Sequence, residues 1–94
     1  MNIIFETIDI TRRKIYLTSE RFKHIMKHPI MQGKLEFIKE TLERPHKIIG
    51  YDEDKNVGLY FRYYKDMKQY LFISVKYLNG KGFIITSFYT DKIR

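Results

Sequence analysis

The sequence predicts an α+β fold in which helices come first and pack on one side of an antiparallel sheet. Two observations predict the helices: the segment RFKHIMKHP at residues 21–29, which a proline ends, and an apolar stripe at helical spacing within residues 31–42. A third observation predicts the sheet, because short segments after residue 46 alternate apolar and polar residues between polar turns.

A hairpin and a first helix are predicted at the N-terminal end. Residues 2–10 (NIIFETIDI) and 14–18 (KIYLT) alternate around a short basic turn, which indicates an N-terminal hairpin. Thr18 or Ser19 is a suitable N-cap for the helix that follows. This helix is expected to run to about His28, because the next residue is a proline.

The second helix is predicted by one continuous apolar stripe. Its members recur at i, i+4, i+7 and i+11, and they are Met31, Leu35, Ile38 and Leu42. Gly33 weakens the first turn, so the regular helix is expected to begin there, and Pro45 marks its end.

Three or four strands are predicted in the C-terminal half. The Asn-Gly of the turn at residues 79–82 is a strong hairpin signal. One segment is apolar on both faces for much of its length, so it is expected at the centre of the sheet. The strand segments are HKIIGY, VGLYFRYY, the central QYLFISVKYL, and FIITSFYT.

The composition favours a polyanionic partner. Eighteen Lys and Arg against eleven Asp and Glu give a formal net charge of +7, and eight Tyr and seven Phe accompany them. Aromatic rings beside basic side chains suit the unpaired bases and the phosphates of a nucleic acid. The alternative is that the charge only keeps a small protein soluble and that most of the rings fill its core.

The chain length suits one domain over residues 1–94. The chain has no cysteine, which excludes disulfides and thiolate metal ligands. No apolar stretch approaches the roughly 20 residues that span a bilayer. Glu6 and Asp9 interrupt any apolar run of a signal peptide. We therefore expect a cytoplasmic protein with no membrane contact.

Arg21, His24 and His28 share a narrow polar stripe when the first helix is drawn at about 100° per residue. The stripe borders the apolar face, so its side chains could reach a cleft between helix and sheet. Three interpretations are open. The histidine pair could bind a metal, although the adjacent Glu and the third ligand of such motifs are missing. The histidines could instead cap a helix end, or transfer protons during phosphodiester cleavage.

The segment LYFRYY carries a second set of candidates. Alternation places Tyr60, Arg62 and Tyr64 on one face, which is expected to be the face away from the core. An arginine between two tyrosines suits a phosphate flanked by stacked bases. A ladder of cross-strand pairs that only stabilises the sheet is an equally open interpretation.

The last strand supplies hydroxyl groups. Thr86, Phe88 and Thr90 share one face, and Lys92 follows them. Hydroxyls beside a lysine can hold a phosphate. Thr and Ser are nevertheless common on any half-exposed strand, so this signal is weak by itself.

Five segments together resemble the phage-associated branch of the barnase–EndoU–colicin–RelE-like (BECR) nucleases: KIYLTSERFKHIMKHP, IKETLERPHKI, YFRYY, YLFISVKY and GFIITSFYTDKI. The resemblance runs from about residue 14 to residue 93. It implies two N-terminal helices packed on a four-stranded antiparallel sheet. It also implies a nuclease that acts on RNA and uses no metal or other cofactor. An antitoxin-like or immunity-like protein is a further implied partner, and no oligomeric state is predicted.

The resemblance also points to individual residues. The positions that match family motifs are His24 and His28, Arg21 before them, Arg62 in the middle strand, and Thr86, Thr90 and Lys92 at the last strand. Two positions depart from the family pattern. Ile30 stands where relatives have an acidic residue after the His-Pro, and Phe88 stands where they commonly have a tyrosine.

The predicted function is a metal-independent ribonuclease. His24 would take the proton of a ribose 2′-OH, and His28 would protonate the leaving 5′-oxygen. Arg21, Arg62 and Lys92 would hold the phosphate, and Thr86 and Thr90 would orient one of its oxygens. Tyr60 and Tyr64 would stack on bases. A catalytically degenerate RNA- or protein-binding module is the alternative, and Ile30 and Phe88 favour it. A structural phage or mobile-element component that contacts nucleic acid without sequence preference is a second alternative.

Overall fold

The computed structural model describes residues 2–51 and 53–93. Within them the chain forms six strands, two α-helices and one 3₁₀ turn. In chain order these are β1 (Ile3–Ile8), β2 (Lys14–Thr18), α1 (Ser19–Met26), the 3₁₀ turn (Pro29–Met31), α2 (Leu35–Glu43), β3 (Lys47–Tyr51), β4 (Asp54–Tyr64), β5 (Gln69–Leu78) and β6 (Lys81–Thr90).

All six strands belong to one mixed sheet with the order β1-β2-β6-β5-β4-β3. The prediction of two helices on a four-stranded antiparallel sheet is therefore wrong. The four C-terminal strands do form an antiparallel meander, but the N-terminal hairpin β1–β2 extends it. The hairpin joins through β2, which pairs with β6 in parallel. The result is a sheet-rich fold.

The parallel pairing depends on a close approach at Gly82. Ile15 of β2 lies opposite Gly82 of β6 in the register. A Cβ atom at residue 82 would collide with the Ile15 side chain and would lie 2.8 Å from Val75 Cγ1. Only a residue without a side chain lets the two strands and their buried neighbours pack this tightly. The pairing joins only three residues of β2, Lys14–Tyr16, to three of β6, Lys81–Phe83. Strand β2 then ends at Thr18, and α1 begins at the next residue.

The helices begin and end for local reasons that the sequence carries. The Thr18 side chain caps α1 by accepting a hydrogen bond from the backbone amide of Arg21 at 3.3 Å. Pro29 begins the 3₁₀ turn, so α1 ends three residues before it. Gly33 has a φ of 77°, which a residue with a side chain rarely adopts, and α2 begins two residues later.

Both helices pack on the same face of the sheet. We call this the covered face, and it holds the core together with the helical side chains. Helix α1 lies on β6 and β2, and α2 lies on β5, β1 and β4. The core residues are Ile15, Leu17, Ile25, Met31, Ile38, Leu42, Tyr60, Leu71, Ile73, Val75 and Ile84.

The opposite face has no helix on it in the described part of the chain, and we call it the open face. Its central members are paired across β4, β5 and β6, and they include Phe61, Phe72, Phe88, Tyr63, Tyr70, Thr86 and Thr90. No helix among the described residues is long and apolar enough to cross a membrane.

Candidate functional site

Strand β4 is oriented opposite to the prediction. Tyr60 is paired with Ile73 and Arg62 with Leu71, both of which are core residues on the covered face. Tyr60 is fully buried, and it is Phe61 that lies on the open face. The expectation that Tyr60, Arg62 and Tyr64 point away from the core is therefore wrong.

The Tyr60 hydroxyl belongs to a buried hydrogen-bond network. It donates to one oxygen of Asp9 and lies 2.6 Å from the hydroxyl of Tyr77. The other oxygen of Asp9 accepts from the backbone amides of Thr11 and Arg13, each at 3.0 Å. Burial, followed by the hydrogen bond to Asp9, raises the pKa of Tyr60. This tyrosine has no surface that could stack on a base, and its visible role is to tie the β1–β2 turn to the sheet.

Arg62 and Tyr64 contact the end of α2. The Nη1 atom of Arg62 donates to the backbone carbonyl of Arg44 at 2.7 Å, and its Nε lies 3.4 Å from a carboxylate oxygen of Glu40. The Tyr64 hydroxyl lies 2.8 Å from the same Glu40 oxygen. Burial raises the pKa of Tyr64 to about 12. His46, the residue directly before β3, lies beside Arg62, with its Nε2 atom 3.3 Å from Nη1 of the arginine.

The predicted α1 stripe is exposed. Arg21 and His24 line one shallow groove of about 490 Å³ together with Lys23 and Lys27. They are three positions apart on the helix, so their side chains are neighbours. His28 is exposed but lies outside α1, directly before the 3₁₀ turn. The N-terminal half of the stripe is thus a cationic surface that includes one imidazole.

A second groove connects α1 to the open face. Arg21 lines it together with Phe83, Ile85 and Lys76, and its volume is about 470 Å³. The groove lies where β2 stops pairing with β6 and the chain turns into the helix. Lys76 is ion-paired with Asp54 and donates a hydrogen bond to it, and this hydrogen bond holds the pKa of the Asp54 carboxyl below its ordinary value. Among the described residues, Arg21 is in no ion pair, so its charge is available at this groove.

The hydroxyls of β6 lie on the open face beside aromatic rings. Thr86 is paired with Ser74, Phe88 with Phe72 and Thr90 with Tyr70. The rings on this face are in contact: the ring centroids of Phe72 and Phe88 are 4.7 Å apart, and those of Phe61 and Phe72 are 5.2 Å apart.

This part of the open face forms one wall of a cleft of about 460 Å³. Phe61, Phe72 and Phe88 form its floor, and Thr90 and Lys92 are at one side. Phe88 is 43% exposed, so its ring is accessible. An accessible ring with a threonine hydroxyl and an ammonium group beside it can stack on a base and bind the adjoining phosphate.

Comparison with protein families matches residues 4–94 to the family described as phage-Barnase-EndoU-ColicinE5/D-RelE like nuclease2. The chain belongs to this family. The resemblance found from the sequence motifs is thereby confirmed, and a nucleic acid is the substrate class that a nuclease family indicates. No curated protein and no solved structure matches the chain.

The nuclease fold brings only some of the predicted site residues together. Thr86 and Thr90 lie on the open face of β6, and Thr90 lines the aromatic cleft together with Lys92. Arg21 lines a separate groove beside Phe83 and Ile85, nearer the start of β6. Arg62 and Tyr64 lie on the other side of the sheet. Within residues 2–51 and 53–93, no three His, Cys, Asp or Glu side chains come together as ligands of a metal ion.

Sequence reasoning missed two groups of residues, one on each face of the sheet. The first is the set of rings that line the cleft: Phe61 is buried, but on the open face, and Phe72 lies in a segment that is apolar on both faces. The second is His46, whose ring contacts Arg62. The only signal for His46 was its place between a proline and a strand, which is not specific.

Proposed function

We propose that residues 1–94 form one ribonuclease domain that cleaves RNA without a metal. The 2′-oxygen of a ribose attacks the adjacent phosphorus as its proton passes to a base. The bond from phosphorus to the 5′-oxygen breaks, and an acid protonates that oxygen. The products are a 2′,3′-cyclic phosphate and a free 5′-hydroxyl, so the electron pairs and protons balance without a further reactant.

One observation carries this proposal: an uncovered sheet face in a nuclease family member presents an accessible aromatic cleft that Thr90 and Lys92 also line. Single-stranded nucleic acid is bound by stacking of bases on aromatic side chains and by cations along the backbone. Thr86 and Thr90 would orient a non-bridging oxygen, and Lys92 would hold the phosphate. The basic charge of the chain favours the same partner.

His24 would approach the substrate from α1, and His28 from its position directly before the 3₁₀ turn. Arg21 lines the groove that opens onto β6, and His24 is its neighbour on the helix. We assign His24 as the base and Arg21 as a phosphate ligand, with His28 as the acid. Arg62 is not placed at the reacting phosphate, because its guanidinium is held on the covered side by Arg44 and Glu40.

The proposal is tested by cleavage of a fluorescent mixed-sequence RNA in the presence of EDTA. The wild type is compared with His24→Ala, and Lys23→Ala is the matched control because it is an exposed neighbour on the same helix. We expect cleavage in EDTA, its loss by about 100-fold or more in His24→Ala, and its retention in Lys23→Ala. A DNA strand of the same sequence should not be cut, since it has no 2′-OH.

Two results would contradict the proposal. Cleavage that EDTA abolishes would replace the imidazole mechanism by a metal-dependent one. Unchanged cleavage by a folded His24→Ala protein would remove His24 from the reaction. Circular dichroism of each variant shows that it is folded before its activity is compared.

A binding module without catalysis is the second candidate, and Phe88 favours it. Its ring lines the cleft but has no hydroxyl to take part in chemistry. The variant Phe88→Tyr separates the two functions, because it keeps the ring and adds the hydroxyl. A nuclease limited by this departure would cleave faster as Phe88→Tyr at unchanged RNA affinity. A binding module would show no cleavage in either form.

A further inference from the structure

The ring of His46 is held in one orientation by the backbone of β4. Its Nδ1 atom accepts a hydrogen bond from the amide of Tyr63 at 3.0 Å. A nitrogen that accepts carries no proton, so the proton of the neutral imidazole is on Nε2. His46 therefore presents an N–H donor on the side of the ring that faces away from Tyr63.

That donor faces a second donor. His46 Nε2 lies 3.3 Å from Nη1 of Arg62. A guanidinium has five N–H groups and no acceptor, so the two nitrogens cannot satisfy one another while His46 accepts from Tyr63. Two donors that converge without an acceptor between them are matched by an anionic oxygen placed against both.

The Nη1 atom of Arg62 also donates to the Arg44 carbonyl at 2.7 Å, and the remaining contacts of the guanidinium leave part of its charge unmatched. Glu40 lies 3.4 Å from the Nε atom, which is an ion-pair distance. Among the described residues, however, Nε is buried without a hydrogen-bond partner, and the Glu40 oxygen is also engaged by Tyr64. The arginine side chain is 24% exposed and His46 is exposed, so an anion can reach the pair from solvent.

We propose that Arg62 and His46 form an oxyanion site at the β3 edge of the sheet, and that its ligand is a phosphate group. The pair lies on the covered side of the sheet, and the next residue along β4, Tyr63, has its ring on the open face in edge contact with Tyr70 at 5.2 Å. A nucleic acid that stacks on the open face would bring a phosphodiester to this edge. That identity of the ligand rests on the proposed function, whereas binding of phosphate itself does not.

The site is tested by NMR of protein labelled with ¹⁵N. The imidazole nitrogen shifts of His46 report which nitrogen carries the proton, and we expect the proton on Nε2. Inorganic phosphate is then titrated in the millimolar range against sodium chloride of equal ionic strength, so that screening is constant. We expect saturable shifts at His46 Nε2 and at the Arg62 guanidinium.

Two variants separate a specific site from a general effect of charge. His46→Asn keeps an acceptor for the Tyr63 amide but has no donor at the Nε2 position, and it leaves the net charge unchanged. Lys47→Ala removes one positive charge from the next residue, which faces the open side. Phosphate affinity should fall about tenfold in His46→Asn, the worth of one charge-assisted hydrogen bond, and should fall less in Lys47→Ala.

Three results would overturn the proposal. A proton on Nδ1 would make Nε2 an acceptor for Arg62 and close the pair internally. Phosphate that shifts neither residue would leave the site without a ligand. An equal loss of affinity in both variants would show a response to charge alone.

The source of the phosphate is distinguished by a short DNA strand, which binds without being cleaved. Competition between the strand and inorganic phosphate at His46 identifies a phosphodiester as the ligand. Simultaneous binding identifies free phosphate or a phosphate monoester. Phosphate bound at this pair in a protein that does not cleave RNA would refute the proposed function and leave the oxyanion site standing.

Discussion

Strands β4 and β6 carry similar triplets on opposite faces of the sheet. Tyr60, Arg62 and Tyr64 alternate along β4, and Thr86, Phe88 and Thr90 alternate along β6. The polar atoms of the β4 triplet contact groups within the protein, chiefly Asp9, Glu40 and the end of α2. Among the described residues, those of the β6 triplet contact little, since Thr90 reaches only the backbone of Lys92 at 3.4 Å or more.

This difference separates a structural triplet from one that can bind a ligand. Both triplets alternate polar and aromatic side chains, so alternation by itself gives a similar sequence signal on the two strands. What distinguishes them is whether their polar atoms already have partners inside the fold. The covered face uses its polar groups to hold the β1–β2 turn and α2, whereas the open face keeps rings and hydroxyls accessible to a substrate. Changes on the two faces should therefore affect different properties.

The largest effect is expected from breaking the covered network at its centre. Asp9→Ala removes the carboxylate that accepts from the Tyr60 hydroxyl and from the amides of Thr11 and Arg13, and among the described residues only the Tyr60 hydroxyl keeps a partner, in Tyr77. Unsatisfied buried donors cost about 1–3 kcal/mol each, so we expect the free energy of unfolding to fall by about 3 kcal/mol. Urea denaturation measures this loss. RNA affinity under folding conditions should stay at the wild-type level.

Asp91→Ala is the matched control for this variant. Asp91 is exposed and accepts a hydrogen bond from Gln69 at 2.9 Å, so its loss should change stability by about 0.5 kcal/mol or less. A similar loss of stability in both aspartate variants would mean that the Asp9 network does not hold the turn.

A smaller and opposite pattern is expected on the open face. Phe88→Ala removes the accessible ring of the cleft, and stacking of one base is worth about 1–3 kcal/mol. Affinity for single-stranded RNA should fall about tenfold or more, measured by fluorescence anisotropy. Stability should change by about 1 kcal/mol or less, because the ring is 43% exposed.

Phe37→Ala is the control for ring loss by itself. Phe37 is 38% exposed and lies on α2, where its ring contacts Tyr64. Its removal should leave RNA affinity unchanged. Equal losses of affinity in Phe37→Ala and Phe88→Ala would show that the open face is not the surface that binds RNA.

The sequence predicted most local elements of the fold and little of their long-range pairing. Both helices follow from local signals: the Thr18 cap, the proline after His28 and the stripe ending at Leu42. The parallel contact between β2 and β6 joins residues about 67 positions apart, such as Ile15 and Gly82. No local pattern specifies such a pairing, and a glycine in a strand has several common causes.

The orientation of β4 could not be predicted for a related reason. Alternation sorts residues onto two faces but does not say which face is covered. Both faces of β4 carry large rings, so hydrophobicity does not decide between Tyr60 and Phe61. The deciding contact is with Asp9, which is 51 positions away from Tyr60.

The candidate site was partly predicted for the same physical reasons. Thr86, Thr90 and Lys92 share a face because strand alternation is local, and Arg21 and His24 are neighbours because helix periodicity is local. The cleft floor and the contact of His46 with Arg62 depend on packing between strands, which single segments do not encode. The roles of the two histidines in catalysis stay a prediction.

The smallest effect concerns the ionisation of Tyr64 at high pH. Burial raises its pKa to about 12 from the ordinary value of 10.0. Between these pH values the folded state keeps the proton and the unfolded state loses it, so stability is fully present below about pH 10 and declines as the pH rises toward 12. Tyr60, whose pKa is also raised, contributes in the same direction.

Tyr64→Phe removes one part of this dependence. The variant loses the hydroxyl's bond to Glu40, so its stability near neutral pH should be lower by about 1 kcal/mol. Its decline above pH 10 should be shallower than that of the wild type, which urea denaturation at a series of pH values measures. Identical slopes would mean that the Tyr64 hydroxyl is solvated in the folded state. The β4 triplet would then be as accessible as the β6 triplet, and the contrast between the two faces would not hold at this end of the strand.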